Sequence, residues 1–249
     1  MKEVKDNFSA DPARYAVYRP GSPAELFDFL FARVNDFETA WDCGTGNGQV
    51  ASVLAERFKQ VYATDISAKQ LVNARQKENI IYREERAEAS SLADNSIDLI
   101  TIAQAFHWFD FEAFYSEAKR VSKPGALLAI WTYNLIRVDG GVIDETINDF
   151  YFNTVGPYWD SERKYVDKGY KNIDIPFEEL ETPVFHMEYQ WTLDQFLGYI
   201  NTWSSVHHYR TRKQAEPVPL LRDRLSRYWE ANETKTIDFP VYMRLFRIA

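Results

Sequence analysis

Trp41-Asp42-Cys43-Gly44-Thr45-Gly46-Asn47-Gly48-Gln49-Val50, followed by Asp65 at the end of the next apolar run, is the stretch that decides the fold. An apolar run ends in an acid, three glycines alternate with small residues, and a helical pattern begins. A second acid closes Val61-Tyr62-Ala63-Thr64-Asp65. This order is that of a strand-loop-helix-strand unit that holds a nucleoside. Glycines let the chain turn tightly and approach a ligand closely. The helix that follows points its N-terminus at the ligand. An acid at the tip of the second strand can accept both ribose hydroxyls.

Two cofactor classes use such a unit. A dinucleotide loop wants an apolar residue before its first glycine and a small residue at its third fingerprint position. Here Asp42 stands two residues before Gly44, and Gln49 occupies the third position. An acid there repels a pyrophosphate and suits a cationic amine. Asp-x-Gly-x-Gly-x-Gly therefore reads as a loop for S-adenosylmethionine, which carries an amine and a sulfonium but no phosphate. The spacing from Gly44 to Asp65 fits both cofactors.

Strands and helices alternate outward from this unit. A helix is expected from Ser22 to Val34, with Ser22 as N-cap and Pro23 at its first position. Gln49–Phe58 reads as a helix, Val61–Asp65 as a strand, and Ser67 to Lys77 as a helix. Ile80–Arg83 is a short strand, and Ile97–Ala103 is apolar throughout, as a central parallel strand is. Asp110 caps a helix to Val121, and Ala126–Trp131 is a fifth strand. This rhythm predicts right-handed βαβ units and a parallel sheet. After Trp131 it breaks. Helices are expected at Asp139–Asn153, Leu193–Ser204 and Pro219–Trp229, and strands at Phe185–Trp191 and Val241–Ile248.

The chain has 249 residues, enough for one large domain or a domain with a lid. It carries 29 basic and 37 acidic side chains, a net charge of −8, which argues against nucleic acid or an anionic membrane as partner. Cys43 is the only cysteine, so no intrachain disulfide forms. The first residues have no apolar signal core, and no apolar run reaches membrane-spanning length. A soluble cytoplasmic protein is the expectation. No cluster has metal-ligand spacing, so no metal site is expected.

With these motifs assembled, the chain resembles the class I S-adenosylmethionine-dependent methyltransferases. Asp94-Asn95-Ser96-Ile97-Asp98-Leu99-Ile100 looks like that family's fourth strand and the loop before it. Ala105-Phe106-His107-Trp108-Phe109, Tyr15-x-x-Tyr18-Arg19-Pro20 and Thr202-Trp203-Ser204-Ser205 are similar to its trans-aconitate methyltransferase-like (type 11) group. The resemblance implies an α/β, Rossmann-like, doubly wound sheet of seven strands, the last antiparallel, with a helical cap inserted in the C-terminal half. It implies one domain over 1–249: a cofactor-binding core at 1–133, cap and substrate-side insertions at 134–240, and a last strand at 241–249.

Carried over residue by residue, Gly44 and Gly46 line the methionine part and Asp42 faces the cofactor amine. Asp65 holds the ribose, and Ile66 packs on adenine. Ala87 offers its N–H to adenine with Glu88 near the amino group, while Gln104 sits by the amino-acid moiety. Arg19 is a candidate partner for the cofactor carboxylate. His107 is the candidate base. Tyr15, Tyr18, Trp108, Trp131 and Trp203 are candidates for the substrate side, although aromatics at such spacing also serve as core. Tyr133, Trp159 and Tyr209 belong to the same aromatic set, and Arg137, Arg210 and Arg212 are candidates for an anionic substrate.

The implied activity is methylation of a small molecule, an organic acid at its carboxyl oxygen. The alternatives are a nucleic-acid methyltransferase and a nicotinamide-dependent oxidoreductase. Ala103-Gln104-Ala105-Phe106 stands where an amine-methylating base enzyme often carries Asn/Asp-Pro-Pro-Tyr/Phe. Asp42 and Gln49 count against the dinucleotide.

Overall fold

A computed structural model describes residues 20–249. Strand β1 (Thr39–Cys43) lies between β2 (Gln60–Asp65) and β4 (Ile97–Ala103), with β3 (Ile80–Glu84) beyond β2 and β5 (Ser122–Tyr133) beyond β4. All four pairings are parallel. The chain reverses direction across the sheet between β1 and β4, which is where open α/β sheets place ligands.

The far side is antiparallel, as expected, but is built from more pieces. Strand β9 (Thr234–Arg247) runs antiparallel to β5 and starts seven residues before the expected Val241 (241 − 234 = 7). On the β5 edge of β9 the short β6 (Arg137–Val138) continues the lane. On the other edge β8 (Val184–Thr192) and β7 (Glu178–Leu180) share one lane. Among the described residues, nine strands thus fill the seven lanes of the expected sheet. The β5 lane breaks opposite Pro240, which accepts from the Asn134 amide but has no N–H to return. The β7–β8 lane breaks at Pro183 for the same reason.

Alternation along the strands supplies a core on each face. From β5, Leu127, Ala129, Trp131 and Tyr133 join one cluster, while Leu128 and Ile130 join the other. The first cluster takes α1 (Ala24–Phe31) and α2 (Gln49–Leu54). It also takes the later helices α5 (Gly141–Asp149), α7 (Leu193–Ile200), α8 (Ser204–Lys213) and α9 (Val218–Leu225). The second takes α4 (Phe111–Val121) and Val166 of α6 (Arg163–Val166). The short α3 (Ala68–Val72) flanks β2 and β3.

Several expected boundaries shift for local reasons. Asp110 caps α4 as expected, accepting from the Ala113 amide. Ser22 does not cap α1: its Oγ instead accepts from the Trp131 indole at 2.9 Å, and Pro23 takes the N-cap position. The helix expected over Asp139–Asn153 runs from Gly141 and relaxes into a π turn at Phe150–Thr154. The helix expected over Leu193–Ser204 is two, broken between Ile200 and Ser204.

Helix α6 ends in a Schellman turn, with Tyr170 N–H bonded to Tyr165 C=O and Gly169 N–H to Val166 C=O, both at 2.8 Å. Gly169 takes φ +57°, and a Cβ there would sit 3.2 Å from Tyr242 Cβ. Gly169→Ala is expected to lower stability by about 1–2 kcal/mol, from the left-handed backbone alone. Denaturant unfolding measures it, and an unchanged midpoint would contradict this turn.

Candidate active site

A cavity of about 240 Å³ opens at the C-terminal ends of β1, β2, β4 and β5. The glycine loop forms its floor. Gly44 and Thr45 both donate to the Thr64 carbonyl, which ties the loop to the end of β2. Gly44 has φ +72°, and a Cβ there would lie 2.6 Å from Ala105 Cβ. A Cβ at Gly48 would run into the Tyr82 hydroxyl. Gly44 is required by close approach, whereas Gly48 is favoured by its left-handed backbone, φ +75°. Gly46 differs: its φ is +55°, yet nothing lies within 4 Å of its Cβ position, so that side of the loop is open.

Asp42 anchors the loop from below. Its Oδ2 accepts from Thr45 Oγ1 at 2.5 Å and from the Ala51 amide at 3.1 Å, and its Oδ1 accepts from Thr101 Oγ1 at 2.8 Å. Burial pushes its carboxyl up to about 6, against the pull of these three donors. At the tip of β2, Asp65 accepts from the Gly46 amide (2.8 Å) and the Ser67 amide (2.9 Å). Beside it Ile66 is 42% exposed, an isoleucine left for something to cover. Glu88 accepts from the Asp110 amide at 2.8 Å and pairs with Arg86 Nε at 3.2 Å, so it links the β3 loop to α4. Burial pushes the Cys43 thiol up, which leaves no thiolate inside the loop.

The opposite wall comes from the ends of β4 and β5. Gln104 has φ +58°, held by its amide's bond to the Trp131 carbonyl. Its Oε1 accepts from Thr132 Oγ1 at 2.8 Å. Its Nε2 is buried and has no hydrogen-bond partner among the described residues. Trp108, Phe109, Trp131, Tyr133 and Met187 add apolar surface, and Glu162 reaches the rim from the segment before α6.

Of the residues singled out in the sequence, Asp42, Gly44, Gly46, Asp65, Ile66, Ala87, Glu88, Gln104, Trp108 and Trp131 all line this cavity, as does Tyr133. Arg19, Tyr15 and Tyr18 lie outside the described residues. Two further candidates stand off this wall. His107 is not among the lining residues: it is 8% exposed, and its Nδ1 lies 2.9 Å from the Tyr170 hydroxyl. Trp203 is 5% exposed and packs edge-on to Tyr151 and beside Trp159, away from the lining.

Trp159, Tyr209, Arg137, Arg210 and Arg212 are also absent from the wall. Arg86 is the one basic side chain among the described lining residues. Thr101 and Thr132 were missed, although each sits near the C-terminal end of a central strand, where ligands gather. Glu162 carried no usable signal, because it belongs to an irregular stretch. Among the described residues no acid, histidine or cysteine cluster could hold a metal, and no helix is long and apolar enough to cross a membrane.

Comparison with known proteins agrees with this geometry. Residues 41–130 match a family described as a methyltransferase domain. A Dictyostelium discoideum protein named as a methyltransferase is 32% identical over 96% of this chain and 94% of its own. A solved structure from Anaeromyxobacter dehalogenans, described as a type II methyltransferase, superposes with a TM-score of 0.86 at 36% identity, covering 93% of this chain and 99% of that one. An uncharacterised methyltransferase of Schizosaccharomyces pombe is 26% identical over 94% of this chain and 93% of its own. The chain belongs to the class I S-adenosylmethionine-dependent methyltransferases, and the nicotinamide alternative falls away.

The raised Asp42 carboxyl has a measurable consequence. Its protonation favours the folded state, so this contribution is complete below the unfolded value of 3.8 and is lost as pH rises through about 6. Two units correspond to on the order of 2–3 kcal/mol. The stability difference between wild type and Asp42→Asn is expected to fall between pH 4 and 6 and to level off above 7. Parallel denaturation profiles would contradict it.

Proposed function

We propose that this methyltransferase binds S-adenosylmethionine across the cavity and methylates a small organic acid at its carboxyl oxygen. The observation that carries the cofactor assignment is the polarity of the cavity. One end offers an acid and an exposed isoleucine, Asp65 and Ile66, as a nucleoside needs. The other offers a buried amide donor, Gln104 Nε2, as a carboxylate needs. In this reading Gly44 and Gly46 give the backbone room for the methionine chain. Asp42 compensates the amine, and Ala87 and Glu88 border the base. Bound there, the cofactor supplies an electrophilic methyl on a positively charged sulfur.

The task left to the protein is alignment and exclusion of water. Trp108, Phe109, Trp131 and Tyr133 are suited to both, since they wall the cavity with flat apolar surface. A carboxylate acceptor carries no proton to remove and so needs no general base, and its attack on a sulfonium neutralises charge, which a dry site favours. A hydroxyl acceptor does need one. The engagement of His107 with Tyr170, off the cavity wall, supports the acceptor that needs no base. The net charge of −8 supports a small molecule over nucleic acid.

Two measurements test these assignments. Asp65→Ala is expected to weaken binding of S-adenosylhomocysteine, the demethylated product, at least about tenfold, since a charge-assisted acceptor is worth about 1.5–3 kcal/mol. Unchanged affinity would contradict the nucleoside end. Incubation with S-adenosylmethionine and a panel of organic acids is expected to yield methyl esters by mass spectrometry, with His107→Ala retaining turnover. Methylation of hydroxyl or amine acceptors alone would contradict the carboxyl assignment.

A further inference from the structure

Thr132 lies near the C-terminal end of β5 and is fully buried. Its Oγ1 donates to Gln104 Oε1 at 2.8 Å, with the Tyr133 carbonyl at 3.2 Å as the weaker acceptor. Gln104 lines the cavity, and its buried Nε2 has no hydrogen-bond partner among the described residues. Because Thr132 is buried, water cannot substitute for its hydroxyl. Gln104 holds left-handed backbone (φ +58°), a conformation that costs a residue with a Cβ about 1–2 kcal/mol, and the bond from its amide to the Trp131 carbonyl keeps it there.

The geometry points to Thr132 as a positioning residue that fixes which way the Gln104 amide faces. A primary amide has a donor end and an acceptor end of nearly equal size. Which end meets the ligand depends on what holds the other. Thr132 has a single hydroxyl proton, and its shorter bond, at 2.8 Å, gives that proton to Gln104 Oε1. The amide then presents only N–H to the ligand. An N–H pair at that wall selects an anionic acceptor, here the α-carboxylate of the cofactor's amino-acid part. This inference rests on the S-adenosylmethionine reading above.

The test compares two ligands by calorimetric titration. S-adenosylhomocysteine carries the amino-acid group, whereas 5′-methylthioadenosine keeps the adenosine and the sulfur and lacks it. Thr132→Val keeps the side-chain shape and removes the hydroxyl. It is expected to weaken S-adenosylhomocysteine at least about tenfold and to leave methylthioadenosine within twofold. Thr132→Ser, which restores the hydroxyl, is expected to recover most of the loss. Retained methylthioadenosine binding also reports that each variant is folded. If Thr132→Val weakens both ligands equally, or neither, the positioning role is wrong. If the wild-type protein binds neither ligand, the cofactor reading beneath it fails instead.

Discussion

The site depends on a carboxylate buried where the chain can least tolerate one. Asp42 lies at the end of β1, 1% exposed, and takes one bond each from the loop, the following helix and the neighbouring strand. A buried charge is costly unless it is paired or well bonded. Here the bonding is also the architecture. Thr45 fixes the loop, Ala51 fixes α2 and Thr101 fixes β4, so three elements are set around one group. Thr101 and Thr45 are ordinary residues made necessary by what they satisfy.

From that anchor the rest of the cavity follows. The Thr64 carbonyl receives the loop amides, and Asp65 one residue later receives Gly46. The glycine loop is thus held between two acids at the ends of adjacent parallel strands. The opposite wall is largely apolar, with the Gln104 amide and the Glu162 carboxylate as its polar groups. The two sides therefore differ in polarity, which under the proposed function suits a ligand that is a nucleoside at one end and an amino acid at the other.

Much of this was legible in the sequence because it is local. The glycine loop, both acids and the apolar run of β4 each read within a few residues, and they fall where that reading put them. What was not legible is set by partners far along the chain. Ser22 looked like a helix cap until the Trp131 indole, 109 residues away, took its hydroxyl. His107 follows the end of the central strand β4, but its ring meets the hydroxyl of Tyr170, 63 residues later. Trp203 shows a different limit. An aromatic in a core and one on a cavity wall have the same composition and spacing, and only packing against Tyr151 and Trp159 separates them. The count of nine strands rather than seven has a sequence cause in Pro183 and Pro240, whose missing donors divide two lanes without changing the topology.

Calorimetric titration of the purified protein with S-adenosylhomocysteine, beside a nicotinamide dinucleotide, tests the central claim most directly. Binding of the nucleoside product at about micromolar affinity, roughly 8 kcal/mol, with no heat from the dinucleotide, is the result this account predicts. A response to the dinucleotide with none to S-adenosylhomocysteine would contradict the roles given to Asp42, Asp65 and the glycine loop.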